Sequence, residues 1–187
     1  MKKGTIIAIA LVALAVILGI ALISGYNSMV TLEADVDAAY ANMDVYMQRR
    51  ADLIPNLVST VKGYAAHEQE AIDSVTEARA KLTGAATPEA AAEADAELSS
   101  ALSRLLVVVE NYPELKASEN FTQLADELSG TENRIAVARK DYNENVTKFN
   151  LAIRKFPNSL LAGLFGFEKK PLFAASAAAQ EVPNVEF

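Results

Sequence analysis

Cysteine is absent from the 187 residues. That excludes disulfides, thiolate metal sites, cysteine nucleophiles and lipid attachment to cysteine, and leaves packing as the source of stability. Histidine occurs once, at His67. A zinc site would have to be completed by carboxylates, yet the neighbouring Glu68 points about 100° away from His67 on a helix, so the pair does not converge on one ion. No G-x-S-x-G elbow, P-loop or G-x-G-x-x-G string is present, so nucleophilic, phosphate and dinucleotide chemistry lack their usual footholds. Positive charge is in deficit: 17 Lys and Arg against 24 Asp and Glu give a net charge of -7, and that field repels nucleic acid. The expectation is a non-enzyme with no catalytic residue, metal, cofactor or nucleic-acid partner.

Long apolar runs are also lacking, with one exception. Ile6 to Ile23 contains neither charge nor proline, and at 1.5 Å per residue its helix, with its flanks, reaches about the 30 Å of a hydrocarbon core. A cleaved signal peptide would have a shorter apolar stretch and a better small-residue site than Ala21 to Gly25, so an uncleaved anchor is the better reading. Lys2 and Lys3 precede the run, whereas Glu33, Asp35, Asp37 and Asp44 follow it. The positive-inside rule then keeps the N-terminus in the cytoplasm and exports the rest. The expected organisation is a cytoplasmic N-terminus at 1–4, a transmembrane helix at 5–26, an exported helical bundle at 27–157 and an apolar, aromatic docking tail at 158–187.

Helix breakers are sparse beyond the span: no proline precedes Pro55 and no glycine lies between Gly25 and Gly63. Apolar residues recur at helical spacing from Leu32, Val36, Met43 and Met47 through Ile54, Leu57, Val61, Ile72, Val75 and Leu82. This predicts one helix ending at Gly84, with a kink near Asp52 to Pro55, or a break there with Asp52 as cap. Thr87-Pro88-Glu89 opens a second helix in the order hydroxyl cap, first-turn proline, acid at the positive dipole end; its face runs through Ala94, Leu98, Ala101, Leu105, Val108 and Tyr112 to a stop at Pro113. Ser118-Glu119 starts a third, with a seam from Phe121 and Leu128 through Ile135, Tyr142, Val146 and Phe149 to Ile153 and Phe156, ending at Pro157. The fold expected is all-α: an N-terminal transmembrane helix continuing into a long antiparallel up-and-down helical bundle of three long helices plus a short C-terminal element capped by Ser159.

Polar residues make stripes of their own. Glu132, Arg139, Asn143, Asn150 and Arg154 step by seven and four along the third helix, and Asp52, Asn56, Ser59, Gly63 and His67 are similarly spaced on the first. These stripes are expected to meet across a helix pair or a subunit boundary and fix its register, so that truncating Asn143 or Arg139 disrupts assembly. Arg49 and Arg50 lie roughly 35 Å beyond the span, far outside the Debye length of about 8 Å, and should pair with acids inside the bundle rather than with lipid headgroups. Six of the 7 Phe lie at or after Phe149. The tail is too apolar for a linker, and Phe165, Phe167, Phe173 and Phe187 are its expected contacts, on the bundle or on a neighbouring subunit.

Several strings carry a resemblance. Arg49-Arg50-Ala51-Asp52-Leu53-Ile54-Pro55-Asn56-Leu57-Val58, Val61-Lys62-Gly63-Tyr64-Ala65-Ala66-His67-Glu68, Tyr112-Pro113-Glu114-Leu115-Lys116-Ala117, Gly130-Thr131-Glu132-Asn133-Arg134-Ile135, Asp141-Tyr142-Asn143 and Phe156-Pro157-Asn158 together resemble the LemA family. The resemblance implies a bacterial envelope protein with one N-terminal span and a long helical bundle, and brings no defined activity. Family members are often encoded beside membrane metalloproteases, and relatives are linked to magnetosome membranes. The leading expectation is a scaffold of the bacterial cytoplasmic membrane whose partners are the lipid bilayer and further copies of itself. The rivals are an adaptor presenting another envelope protein, such as a membrane metalloprotease, and a hydrolase dependent on His67 and Glu68.

Overall fold

A computed structural model describes residues 3–173. Among the described residues six helices follow one another: α1 (Lys3–Tyr64), α2 (Gln69–Thr83), α3 (Pro88–Val109), α4 (Pro113–Lys116), α5 (Glu119–Ala152) and α6 (Asn158–Phe165). There is no strand among the described residues. The first part of α1 is the one helix among them that is long and apolar enough, by length and composition, to cross a membrane, and none of its apolar window is buried. The chain divides into two compact units, Met1–Ala38 with Glu144–Lys170, and Ala39–Asn143 with Pro171–Phe187.

In the second unit, α1 contributes Met43, Met47, Ala51, Ile54, Leu57 and Val61 to the core, α2 contributes Ile72, Val75 and Ala78, α3 Leu98, Ala101 and Leu105, and α5 Phe121, Ile135, Ala138 and Tyr142. These are the three- and four-residue steps that give a helix one apolar face. The start of α3 is as expected: Thr87 is extended and its hydroxyl accepts from the Ala90 amide at 3.2 Å, with Pro88 in the first turn.

The course of the first helix differs from expectation. It neither breaks at Pro55 nor continues to Gly84, but runs through Pro55 to Tyr64 and ends in a turn at residues 65–68. Proline has no N–H, so the carbonyl four residues earlier, that of Ala51, loses its helical donor. Arg79 of α2 replaces it, its Nε–H donating to Ala51 O at 2.7 Å. The later turn is held from outside, because the Tyr112 hydroxyl donates to Glu68 Oε1 at 2.8 Å. Other ends also fall short of the prolines. α3 stops at Val109, four residues before Pro113 opens α4, and α5 stops at Ala152, before the turn holding the cis Phe156–Pro157 bond. In consequence Val109 rather than Val108 is fully buried, and Phe156 leaves the α5 seam for solvent.

In the first unit, Met29 and Val36 of α1, Val146 and Phe149 of α5, Ile153 after it, and Leu161 and Ala162 of α6 are buried. Pro157 rather than Ser159 occupies the N-cap of α6, with no side-chain hydrogen bond. Its close is made by Gly166 at φ 76°, a left-handed position that glycine adopts without steric cost, and the Phe167 amide returns to Ala162 O at 3.0 Å. Phe167 is thereby set 5.8 Å from Tyr26 and 6.3 Å from Phe149, ring centre to ring centre.

The Arg79 contact predicts a coupling. Arg79→Met should destabilise the protein by about 1–3 kcal/mol, the cost of a buried carbonyl left without a donor. Adding Pro55→Ala restores a backbone N–H to Ala51 O, so a double-mutant cycle read by urea unfolding should recover part of that loss. Simple additivity of the two changes would contradict the assignment.

Candidate functional site

Three consecutive residues of α1 reach three other helices of the second unit. Arg49 pairs with Glu127 of α5 through its Nη2. Arg50 Nη1 lies 2.6 Å from Asp95 Oδ1 of α3 and 2.8 Å from Glu132 Oε2 of α5, while Nη2 donates to Ser99 Oγ at 3.0 Å. The Ala51 carbonyl takes the α2 contact described above. Successive side chains are turned by about 100°, so Arg50 reaches α3 as well as α5 while Arg49 meets α5 alone.

The environments of the two arginines differ. The Arg49 and Glu127 side chains are 50% and 42% exposed, which limits their pair to about 0–1 kcal/mol. Arg50 and Asp95 are both buried, with side chains 5% exposed. A buried guanidinium costs desolvation energy that only paired, hydrogen-bonded acids offset. Two carboxylates surround this one cation, so the cluster is not an anion-binding site.

Beside it lies a cleft of about 280 Å³, whose apolar wall includes Leu57, Leu102, Leu105 and Leu128 and whose polar end is Arg50, Ser99 and Glu132. Arg50 Nε has no hydrogen-bond partner among the described residues, and Glu132 Oε2, although close to Nη1, is off hydrogen-bonding geometry. Both atoms are buried, and Glu132 Oε2 faces the Arg50 guanidinium, so the cleft's polar end is already engaged within the cluster.

The other polar residues singled out by spacing separate into distinct roles. Asn143 of α5 exchanges two hydrogen bonds with the backbone of Phe173 in the second unit, its Nδ2 donating to the carbonyl at 3.0 Å and its Oδ1 accepting from the amide at 2.8 Å. Asn150 does the same for Lys170 in the first unit, at 2.8 and 2.9 Å. Each amide offers a donor and an acceptor side by side and mimics a strand partner for an extended chain. Phe173 is buried, and the Tyr142 hydroxyl donates to Pro171 O at 3.0 Å. Phe165 lies 4.8 Å from Tyr26. The tail contacts are therefore within the chain for Phe165, Phe167 and Phe173, while Phe187 lies outside the described residues.

The polar stripes do not meet as two rows. Glu132 reaches Arg50, but Asp52 accepts from Gln48 Nε2 at 2.9 Å on its own helix, and Asn56 lines a cleft with Asn120, Gln123 and Glu127 at the other end of α5. Arg139 is half-buried; Arg154 is exposed. His67 is exposed in the turn after α1, and its neighbour Glu68 is engaged by Tyr112, whose ionisation that hydrogen bond pushes above the ordinary value of 10.0. No group of three or more His, Asp or Glu among the described residues could hold a metal ion. Spacing alone missed Asp95 and Arg79. Asp95, a polar residue buried in the alanine-rich face of α3, was the available signal.

Asp95→Ala should cost about 3–5 kcal/mol, the range for stranding a buried charge, whereas Glu127→Ala should cost at most about 1 kcal/mol; thermal or urea unfolding of the two variants checks the contrast. A second expectation concerns pH. Lys170 Nζ lies 2.7 Å from Glu33 Oε1, and this hydrogen bond, with Asp37 nearby, raises the ammonium above its ordinary 10.5 against the opposing effect of burial. A raised lysine contributes stability that is complete below its unfolded value and is lost as pH climbs through the folded one. The stability difference between the native chain and Lys170→Met should thus be level near neutrality and shrink above about pH 10.5. A difference that grows with alkalinity would contradict it.

Comparison with known proteins supplies the remaining element. The LemA family model matches residues 39–187. The chain is 30% identical over 183 residues to magnetosome protein MamQ 2 of Paramagnetospirillum magneticum, covering 84% of this chain and 67% of that protein. It is 29% identical to magnetosome protein MamQ of Magnetospirillum gryphiswaldense, covering 81% and 65%, and 25% identical to protein LemA of Metamycoplasma hominis, covering 80% and 69%. The matched region contains the Arg49 to Pro55 segment, its partners on α2, α3 and α5, and both asparagines; the chain belongs to the LemA family.

Proposed function

We propose that this chain is a non-catalytic scaffold of the bacterial cytoplasmic membrane, anchored through the apolar start of α1, with its N-terminus in the cytoplasm and its helical units exported, and that it assembles with further copies of itself. The observation that carries the reading is that α1 holds both the apolar run and the Arg49 to Ala51 turn that ties α2, α3 and α5. An anchor that is also the central strut of a bundle suits a structural part better than a tether for an independent enzyme. The likeness to proteins named for the magnetosome supports a membrane-associated role.

The described part of the aromatic tail is seated on its own chain. Self-association is therefore assigned to helix faces, where Val45, Val107 and Val137 of the second unit stand exposed. Another envelope protein could use the same faces, and isolation of the full-length chain distinguishes the two.

Mass photometry of the detergent-purified protein should give a defined oligomer, and a strict monomer would defeat the assembly claim. With no native cysteine, Ala117→Cys should react with a membrane-impermeant maleimide in cells whose inner membrane is intact. Protection until that membrane is lysed would reverse the topology.

A further inference from the structure

The short helix α6 has two apolar sides, and only one of them is covered. Between Asn158 and Phe165 it carries no charge. Leu161 and Ala162 are buried, and α6 approaches α1 so closely that a Cβ on Gly25 would stand 2.5 Å from Asn158 Oδ1 and 3.4 Å from Leu161 Cδ1. The opposite side faces outward: Leu160 is 66% exposed and Leu164, one turn on, 76%, while Phe156 in the preceding turn is 81% exposed.

The direction of α6 gives this face a meaning. Asn158 at its start and Phe165 at its end meet adjacent residues of α1, Gly25 and Tyr26. Seven residues of helix advance about 10 Å, whereas one residue of α1 advances about 1.5 Å. None of the apolar window of α1 is buried, so α6 crosses α1 instead of running down beside the span. The crossing falls two to three residues past Ile23, the last residue of the apolar run. In a spanning helix that is the level where hydrocarbon gives way to headgroups, and where an aromatic such as Tyr26 is favoured. A helix that crosses the span there lies near the membrane plane.

We infer that α6 is a second membrane contact, an interfacial helix that inserts Leu160, Leu164 and Phe156 into the leaflet from which α1 emerges. In-plane helices of this kind bury an apolar face roughly 5–10 Å deep and keep basic residues at the phosphates. The exposed Arg154 and Lys155 before α6, and Lys169 after it, are placed to do so by extending their stems toward the headgroups. Gly25 is then the residue that lets α6 sit against the span at this height. The inference rests on Ile6 to Ile23 being a transmembrane segment.

The chain has no tryptophan, so a single introduced one reports depth without background. Full-length Leu164→Trp and Leu160→Trp are reconstituted in phosphatidylcholine vesicles brominated near the glycerol end of the acyl chain, beside Ile20→Trp within the span and Val137→Trp on the second unit. The expected result is loss of emission from the α6 and Ile20 variants relative to unbrominated vesicles, with Val137→Trp unchanged. Quenching of Ile20→Trp but not of either α6 variant would overturn the inference and leave the anchor standing. Unquenched emission from all of them would overturn both. A blue-shifted yet unquenched α6 tryptophan would mean that protein, such as a second copy, covers this face, and would equally overturn it; so would quenching of Val137→Trp to the same extent.

Discussion

The carbonyl of Ala51 is the point on which the second unit depends. Pro55 removes its donor, and a helix interrupted there would end the core stripe of α1 at Met47 and Ala51. Arg79 supplies the missing hydrogen bond from α2, so the stripe continues through Ile54, Leu57 and Val61. One backbone defect thereby becomes a tie between helices. A proline inside a helix costs about 3 kcal/mol or more when nothing compensates it, and a charged donor on a buried acceptor recovers a useful part of that.

The same turn sets the polarity of the core. Arg50 is costly to bury alone, but Asp95, Glu132 and Ser99 surround its guanidinium from α3 and α5. Such a knot contributes little net stability compared with leucines of similar volume; it does penalise any register in which the arginine meets the wrong helix. In the first unit the comparable device is Asn150, which holds the backbone of Lys170 while that side chain reaches Glu33.

Much of the architecture was readable from periodicity. The apolar run, the start of α3 at Thr87 and the buried seams of α1, α3 and α5 all follow from three- and four-residue spacing, because these signals are local. The prolines misled for a related reason. Pro55 was read as a kink or a break and Pro113 and Pro157 as stops, yet the first is bridged by Arg79, 24 positions later in the numbering, and the other two follow helices that have already ended. Compensation by a distant side chain leaves no local trace. The partners of the polar residues within the chain left no local trace either. Asn143 and Asn150 share a helical face, but their partners are backbone groups of residues 173 and 170, and a backbone group has no sequence signature. LemA membership was legible in motifs such as Arg49 to Val58, and that motif contains Arg50 and Ala51, which tie α1 to α2, α3 and α5.

The central claim is that α1 is one uninterrupted helix through Pro55, ending only at the turn that Tyr112 holds. Amide hydrogen exchange of the full-length protein, resolved to short peptides by mass spectrometry, addresses it directly. Amides on both sides of Pro55, from Asp52 to Val61, should exchange as slowly as those from Met43 to Ala51, with fast exchange confined to residues 65–68. Fast exchange between Leu53 and Ser59, matching that of the turn, would contradict the account.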